Sequence, residues 1–219
     1  MILDSIAKRT EFASSVFEQL KDNYPKAATS LNHSDPWQLL IATILSAQCT
    51  DKQVNKVTKV LFKEYKNAQE LAHADIKKVK KIIRPTGFYN NKAKSIKGAS
   101  RHIIENNGGD VPDRMDELLK LPGVGRKTAN VVLGDGFDTP GVVVDTHVKR
   151  LSNRLGLTEN SNPEKIERDI MEILPEERWT PLGHLMIAHG RALCKARNPK
   201  CEDCFLKEDC PAAENFLDE

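Results

Sequence analysis

Apolar residues recur at helical spacing along almost the whole 219-residue chain and nowhere settle into sustained alternation. That period decides the fold class, because a 3.6-residue repeat lines one face of a helix and cannot line one face of a strand. Ile6, Phe12, Val16, Phe17 and Leu20 mark a helix over residues 4–22. Ser34-Asp35-Pro36 starts a second, with Pro36 in the first turn and residues 37–45 as its apolar body. Thr50 is placed to cap a third over residues 51–65, and Asn67-Ala68-Gln69-Glu70 has the spacing of a capping box. Two short helices then lead to Arg84-Pro85-Thr86-Gly87, a break. Asn90 or Asn91 opens a longer helix ending at Asn107-Gly108-Gly109, and Asp113 starts another. Further helices are expected over residues 146–155, 163–173 and 179–194. Val142-Val143-Val144 is too short to establish a sheet and is expected to bury itself. The pattern predicts an all-α protein.

Inside this helical pattern lies Leu121-Pro122-Gly123-Val124-Gly125, a glycine hairpin followed at once by a new helix. Glycine suits a backbone that must take positive φ or approach a ligand closely. The helix after it begins with unpaired N–H groups and a positive dipole end, which together suit a phosphate. The backbone amides from Val124 to Lys127 are therefore candidates to grip a nucleic-acid backbone without reading its sequence. A plain helical hairpin with a glycine cap has the same spacing. Lys127 lies in the first turn of the new helix, and Asp145, a lone carboxylate, follows the three valines. An amine acting as a nucleophile must be neutral, although free lysine is protonated at neutral pH. The helix dipole and partial burial would both disfavour the ammonium. A carboxylate beside a reacting centre would stabilise positive charge that develops there. Taken singly, Lys127 could be one more phosphate-binding cation and Asp145 only a helix cap.

Four of the five cysteines fall near the C-terminus, Cys194, Cys201, Cys204 and Cys210, spaced C-x6-C-x2-C-x5-C. Disulfides are unexpected without a secretory signal, and four thiolates in so short a loop suit a metal. The spacing itself does not choose between zinc and a [4Fe–4S] cluster. Cys49 reads as a small packed residue.

The stretch LPGVGRKTAN resembles the helix-hairpin-helix of the endonuclease III family of DNA repair glycosylases, and GVVVDTHVKRLSNRLGL resembles that family's catalytic-aspartate segment. The resemblance covers most of the chain. It implies two helical domains flanking a DNA-binding cleft: a six-helix domain over residues 29–139, and a second made of residues 1–28 and 140–219. It implies Lys127 as nucleophile and Asp145 as catalytic aspartate. Leu45-Ser46-Ala47-Gln48-Cys49-Thr50-Asp51 resembles the family's wedge loop, with Gln48 filling the gap left by an extruded base. Gly87-Phe88-Tyr89 resembles the second wedge loop, with Phe88 as the apolar wedge. Without the resemblance, Gln48 reads as a polar loop residue and Phe88 as a core residue. Thr50, Asp51, Gly123, Val124, Gly125, Arg126 and His147 complete the implied DNA contacts. The cysteine spacing matches the family's cluster loop and implies a [4Fe–4S] cluster on Cys194, Cys201, Cys204 and Cys210. It would fix the loop so that Lys195, Arg197 and Lys200 meet phosphates.

The implied activity is that of a bifunctional DNA N-glycosylase and abasic-site lyase acting, as a monomer, on duplexes with a damaged pyrimidine or an abasic site. Three alternatives stay open: a mismatch glycosylase of the same superfamily, a non-catalytic DNA-binding protein and an electron carrier. The mismatch branch commonly lacks the lysine present here at position 127. Net charge is only +2, from 33 basic against 31 acidic residues. Residues 76–104 nevertheless hold nine basic residues, from Lys77 to Arg101, and no acid. Such a stripe suits a polyanion. No run approaches the roughly 20 apolar residues of a membrane span. The start, MILDSIAKRTEF, lacks an apolar signal region, so a cytoplasmic protein is expected. The acidic end from Glu214 reads as a frayed tail.

Overall fold

A computed structural model describes residues 5–217. Every regular element among them is helical. The expected helix start at residue 4 and the last two residues of the acidic tail lie outside the described residues. The chain forms two compact units, one from Ser30–Thr139 and one from the segments on either side, up to Thr29 and from Pro140.

The Ser30–Thr139 unit is built on α2 (Pro36–Ser46), which is apolar all round and buries Trp37 and every residue from Leu39 to Leu45. A helix of that kind survives only with neighbours on every side. They are α3 (Asp51–Glu64), α6 (Tyr89–Asn107) and α8 (Arg126–Phe137). The short α4 (Ala68–His73) and α5 (Ile76–Ile83) pack on α6 in turn. Leu40, Leu45, Leu61, Leu71, Ile83, Ile96, Ile103 and Leu118 have no solvent exposure. Truncating one such leucine to alanine costs about 2–5 kcal/mol through lost transfer energy and the cavity left behind. Within this core Trp37 Nε1 donates to Ser100 Oγ at 3.2 Å.

The caps follow the sequence at most starts. Asp35, Thr50 and Asn67 each accept an amide of the following first turn. Glu70 closes its box one residue early, accepting from Lys66 N at 2.7 Å. Two expectations fail. The longer helix starts at Tyr89, not at Asn90 or Asn91, because Phe88 takes the N-cap position in a left-handed conformation, φ 47°. Asp113 starts nothing: α7 (Met115–Leu118) is a four-residue turn whose N-cap is Arg114, without a side-chain bond. The Arg114 guanidinium is bound to Asp116 instead.

In the other unit, α1 (Ile6–Asn23) packs on α10 (Pro163–Ile173) and α11 (Trp179–Ala192), and α11 packs on α9 (Thr146–Arg154). Val16, Leu20, Val148, Leu151, Ile166, Ile170, Leu182 and Met186 form its core. Val142 and Val143 are buried in extended chain ahead of α9, as their composition suggests. Past Ala192 the chain holds one helical turn, α12 (Glu214–Leu217), where the sequence suggested a frayed tail.

Candidate functional site

The hairpin of the Ser30–Thr139 unit lies on α6. Gly123 has φ +82°, and a Cβ there would come within 2.6 Å of Ser95 Cβ. Both facts demand glycine. Gly125 is different: its φ is −104°, and a Cβ would meet nothing within 4 Å. It is the N-cap of α8 and, lacking a side chain, supplies no side-chain cap. The Val124 amide, which the sequence suggested for phosphate, closes the turn on Leu121 O at 3.1 Å, and its side chain is buried. The amides open to an anion therefore begin after Val124. Lys127 is the second residue of α8 and is exposed, as is Arg126. The partial burial expected for Lys127 is absent, since Arg126 and Lys127 face solvent while Ala129 takes the buried side of the turn.

Gln48 and Phe88 share a concavity with Gly123, Ser95 and Lys92. Both tip residues are exposed, Phe88 by 63%, which removes the core reading of that side chain. Both also take left-handed backbone, φ 52° for Gln48 and 47° for Phe88. That conformation costs a non-glycine residue about 1–3 kcal/mol and persists only where the surroundings hold it. Thr50 caps α3, accepting from Gln53 N at 3.3 Å, and Asp51 sits half-buried in the first turn. Cys49 is half-buried against the core.

The basic stripe proves uneven. Lys92 is 6% exposed, its ammonium donating to Leu45 O at 2.8 Å and Thr86 O at 2.7 Å. Burial lowers its pKa. It was expected to present charge to a polyanion and instead ties backbone together. Lys97 binds Ala74 O, and Lys78 pairs with Glu64. Lys77, Lys81, Arg84, Lys94 and Arg101 remain exposed.

In the other unit Asp145 is the N-cap of α9. Its Oδ1 accepts from His147 N and Val148 N, both at 2.8 Å. The cap uses one carboxylate oxygen, and the residue is half-buried. His147 turns its ring inward, where Nδ1 accepts from Arg150 Nη2 at 3.1 Å. Burial lowers its pKa, with the Asp145 charge opposing and Arg150 assisting. A Cβ on Gly190 would stand 2.7 Å from that ring nitrogen, so α11 approaches α9 this closely only through glycine.

Below α9, Cys194, Cys201, Cys204 and Cys210 line one cavity with Leu151, Leu155 and Leu206. Burial pushes the thiols of Cys201, Cys204 and Cys210 up, and neighbouring cysteines reinforce this. A thiol raised by burial ionises when a cation arrives, so the donor set suits a bound metal group. Four sulfurs around an apolar hollow suit a cluster with one iron per ligand. Two arginines of α9 fasten the loop. Arg150 donates to Cys194 O and Gly190 O. Arg154 donates to Cys194 Sγ at 3.2 Å, Lys195 O at 2.7 Å and Ala196 O at 3.2 Å. Lys195, Arg197 and Lys200 are exposed on that loop. Sequence reasoning missed both arginines, although their i, i+4 spacing on a helix facing the cysteines was a usable signal.

Comparison with known proteins matches this geometry to a family. Residues 41–176 match the HhH-GPD superfamily of base excision DNA repair proteins, and residues 194–210 match the iron–sulfur binding domain of endonuclease III. The chain is 51% identical to endonuclease III of Synechocystis over 97% of its own length and 98% of that protein's. It is 39% identical to endonuclease III of Escherichia coli K12, covering 95% and 97%. Among solved structures it is similar to a non-covalent endonuclease III–DNA complex, with TM-score 0.92, 40% identity and coverage of 96% and 99%. It also resembles a trapped endonuclease III–DNA covalent intermediate, with TM-score 0.90, 40% identity and coverage of 94% and 97%.

Proposed function

The chain belongs to the endonuclease III family of the HhH-GPD superfamily, and on that premise we propose that Lys127 is its nucleophile and Asp145 its catalytic carboxylate. The protein is a bifunctional DNA N-glycosylase and abasic-site lyase of base excision repair. The observation that carries the assignment is the position of Lys127, an exposed amine one residue into a helix whose start lacks a side-chain cap.

The neutral Lys127 amine attacks C1′ of the extruded nucleotide, and the bond from C1′ to the base breaks. The leaving base takes the electron pair and is protonated. The Asp145 carboxylate, held rigidly through Oδ1, stabilises the positive charge that develops at the sugar. Loss of the ring oxygen from C1′ leaves a Schiff base with Lys127. That cation acidifies the C2′ proton, and its removal expels the 3′ phosphate, cutting the strand. We propose oxidised or ring-saturated pyrimidines as substrates. Gln48 and Phe88 enter the duplex to replace the lost base and its stacking. The amides of the hairpin, Arg126, Thr50, Asp51 and the His147 segment contact the strand. The protein acts as a monomer on cytoplasmic, nucleoid DNA. No helix among the described residues is long and apolar enough to cross a membrane.

Cys194, Cys201, Cys204 and Cys210 would hold the [4Fe–4S] cluster, which would order a loop with almost no helix of its own. When bound, it would supply a rigid cross-link between the four cysteines. Arg150 and Arg154 hold the first of those cysteines, so Lys195, Arg197 and Lys200 present fixed charges to phosphates. Purified protein should carry about four irons per chain; stoichiometric zinc without iron, in protein isolated away from air, would contradict the assignment.

Borohydride should trap a covalent complex between the protein and abasic duplex, and Lys127→Gln should abolish it. Trapping at the wild-type level would move the chemistry to another amine.

A further inference from the structure

We infer that Lys92 is a positioning residue, whose single buried ammonium holds the Gln48 and Phe88 loops at a set spacing through the carbonyls of Leu45 and Thr86. The inference rests on the reading of Gln48 and Phe88 as the side chains that enter the duplex.

Leu45 is three residues before Gln48, at the end of α2, and Thr86 is two before Phe88, in the 3-10 turn Arg84–Thr86. The two loops are far apart in sequence, yet one ammonium donates to both, at 2.8 and 2.7 Å. The position is an expensive one for a lysine. It lies in the first turn of α6, where the helix dipole disfavours a cation. It is 6% exposed, and both bonds go to neutral carbonyls. A methionine of the same shape would fill the space without removing a charge from water. The charge must therefore supply something that packing does not.

The loops show what that is. Gln48 and Phe88 each hold left-handed backbone, which relaxes unless neighbouring residues are fixed. Thr86 is buried and bonded through its own hydroxyl to Ile83 O, and Leu45 is buried in the core, so Lys92 joins two already rigid points. The tips beyond those points are exposed and line one concavity with Lys92 and Gly123. A ligand entering there meets two prongs whose separation one side chain sets. Lys92 touches no reacting atom in this account; it acts through the prongs.

The full chain carrying Lys92→Met tests this on two substrates. One is a duplex with a single thymine glycol, which demands that a base be extruded and replaced. The other is a single-stranded oligonucleotide with an abasic site, which does not. We expect single-turnover base removal from the duplex to fall about tenfold to hundredfold, as misplacement of substrate-positioning groups does, while borohydride trapping on the single strand stays within about twofold. In a Phe88→Ala background the same substitution should add much less loss. An equal fall on both substrates, an unchanged duplex rate, or a full additional loss in the Phe88→Ala background would overturn the inference. Should Lys92→Met not accumulate folded, Lys92→Gln carries the same comparison. If Phe88→Ala and Gln48→Ala themselves leave the duplex rate unchanged, the reading of the prongs falls first, and the inference falls with it.

Discussion

The helices that carry the two proposed reacting side chains begin in opposite ways. α8 starts at Gly125, without a side-chain cap, and carries Lys127 one residue inside. α9 starts at Asp145, whose Oδ1 takes two of its first amides at 2.8 Å. The first start leaves donors and a positive dipole end for an anion from outside. The second satisfies its own donors and in doing so fixes the carboxylate. On the proposed assignment, one terminus serves a ligand and the other a side chain. Glycine at one cap and aspartate at the other make the difference.

The contrast can be broken most severely at Asp145. Asparagine caps about as well as aspartate, so Asp145→Asn should leave melting nearly unchanged. It should nevertheless slow single-turnover base removal by about 10²–10³-fold, as losing one preorganised electrostatic group does. Asp145→Ala should add a stability loss of about 1 kcal/mol by removing the cap itself. If the asparagine variant keeps its rate, Asp145 is a cap and nothing more. Binding to abasic duplex should hold or tighten in both, as a negative charge leaves a surface that faces phosphates.

The glycine side of the contrast predicts two unlike alanine variants. Gly123→Ala must adopt φ +82° and push into Ser95, so it should destabilise by about 1–3 kcal/mol. Gly125→Ala meets open space and should cost well under about 1 kcal/mol. Its methyl would stand where a phosphate approaches, so affinity should fall for damaged and undamaged duplex alike. Equal melting curves for the two variants would remove the distinction between a structural and a ligand-facing glycine.

The smallest effect lies in the salt dependence. Lys94 is exposed and Lys92 is not. If Lys94 meets a phosphate, Lys94→Ala should reduce the slope of log affinity against log salt by about one. Any loss from Lys92→Ala should leave that slope unchanged, because a buried ammonium releases no counterion. A slope change from Lys92 would return it to the surface stripe.

Much of this was legible in the residues. The helical period places α2, α3, α10 and α11 closely, and Asp35, Thr50 and Asn67 act as the caps their side chains suggest. Local hydrogen-bonding chemistry decides such features. What escaped depends on tertiary context. Phe88 gives no sign of left-handed backbone, because the reason lies in its loop's attachments. Lys92 was counted with a charged stripe, although its spacing from Ile96, Ala99 and Ile103 puts it on the buried face of α6. In the cysteine loop, spacing alone left zinc and iron–sulfur open, and the matched iron–sulfur domain decided what spacing could not.

The central claim is that one named amine makes the covalent bond. It is tested by reducing the complex with abasic duplex using borohydride, digesting it, and sequencing the modified peptide by mass spectrometry. The account predicts a sugar-derived adduct on Lys127 alone; an adduct on Lys94, on Lys149 or on the N-terminal amine, with Lys127 unmodified, would contradict it.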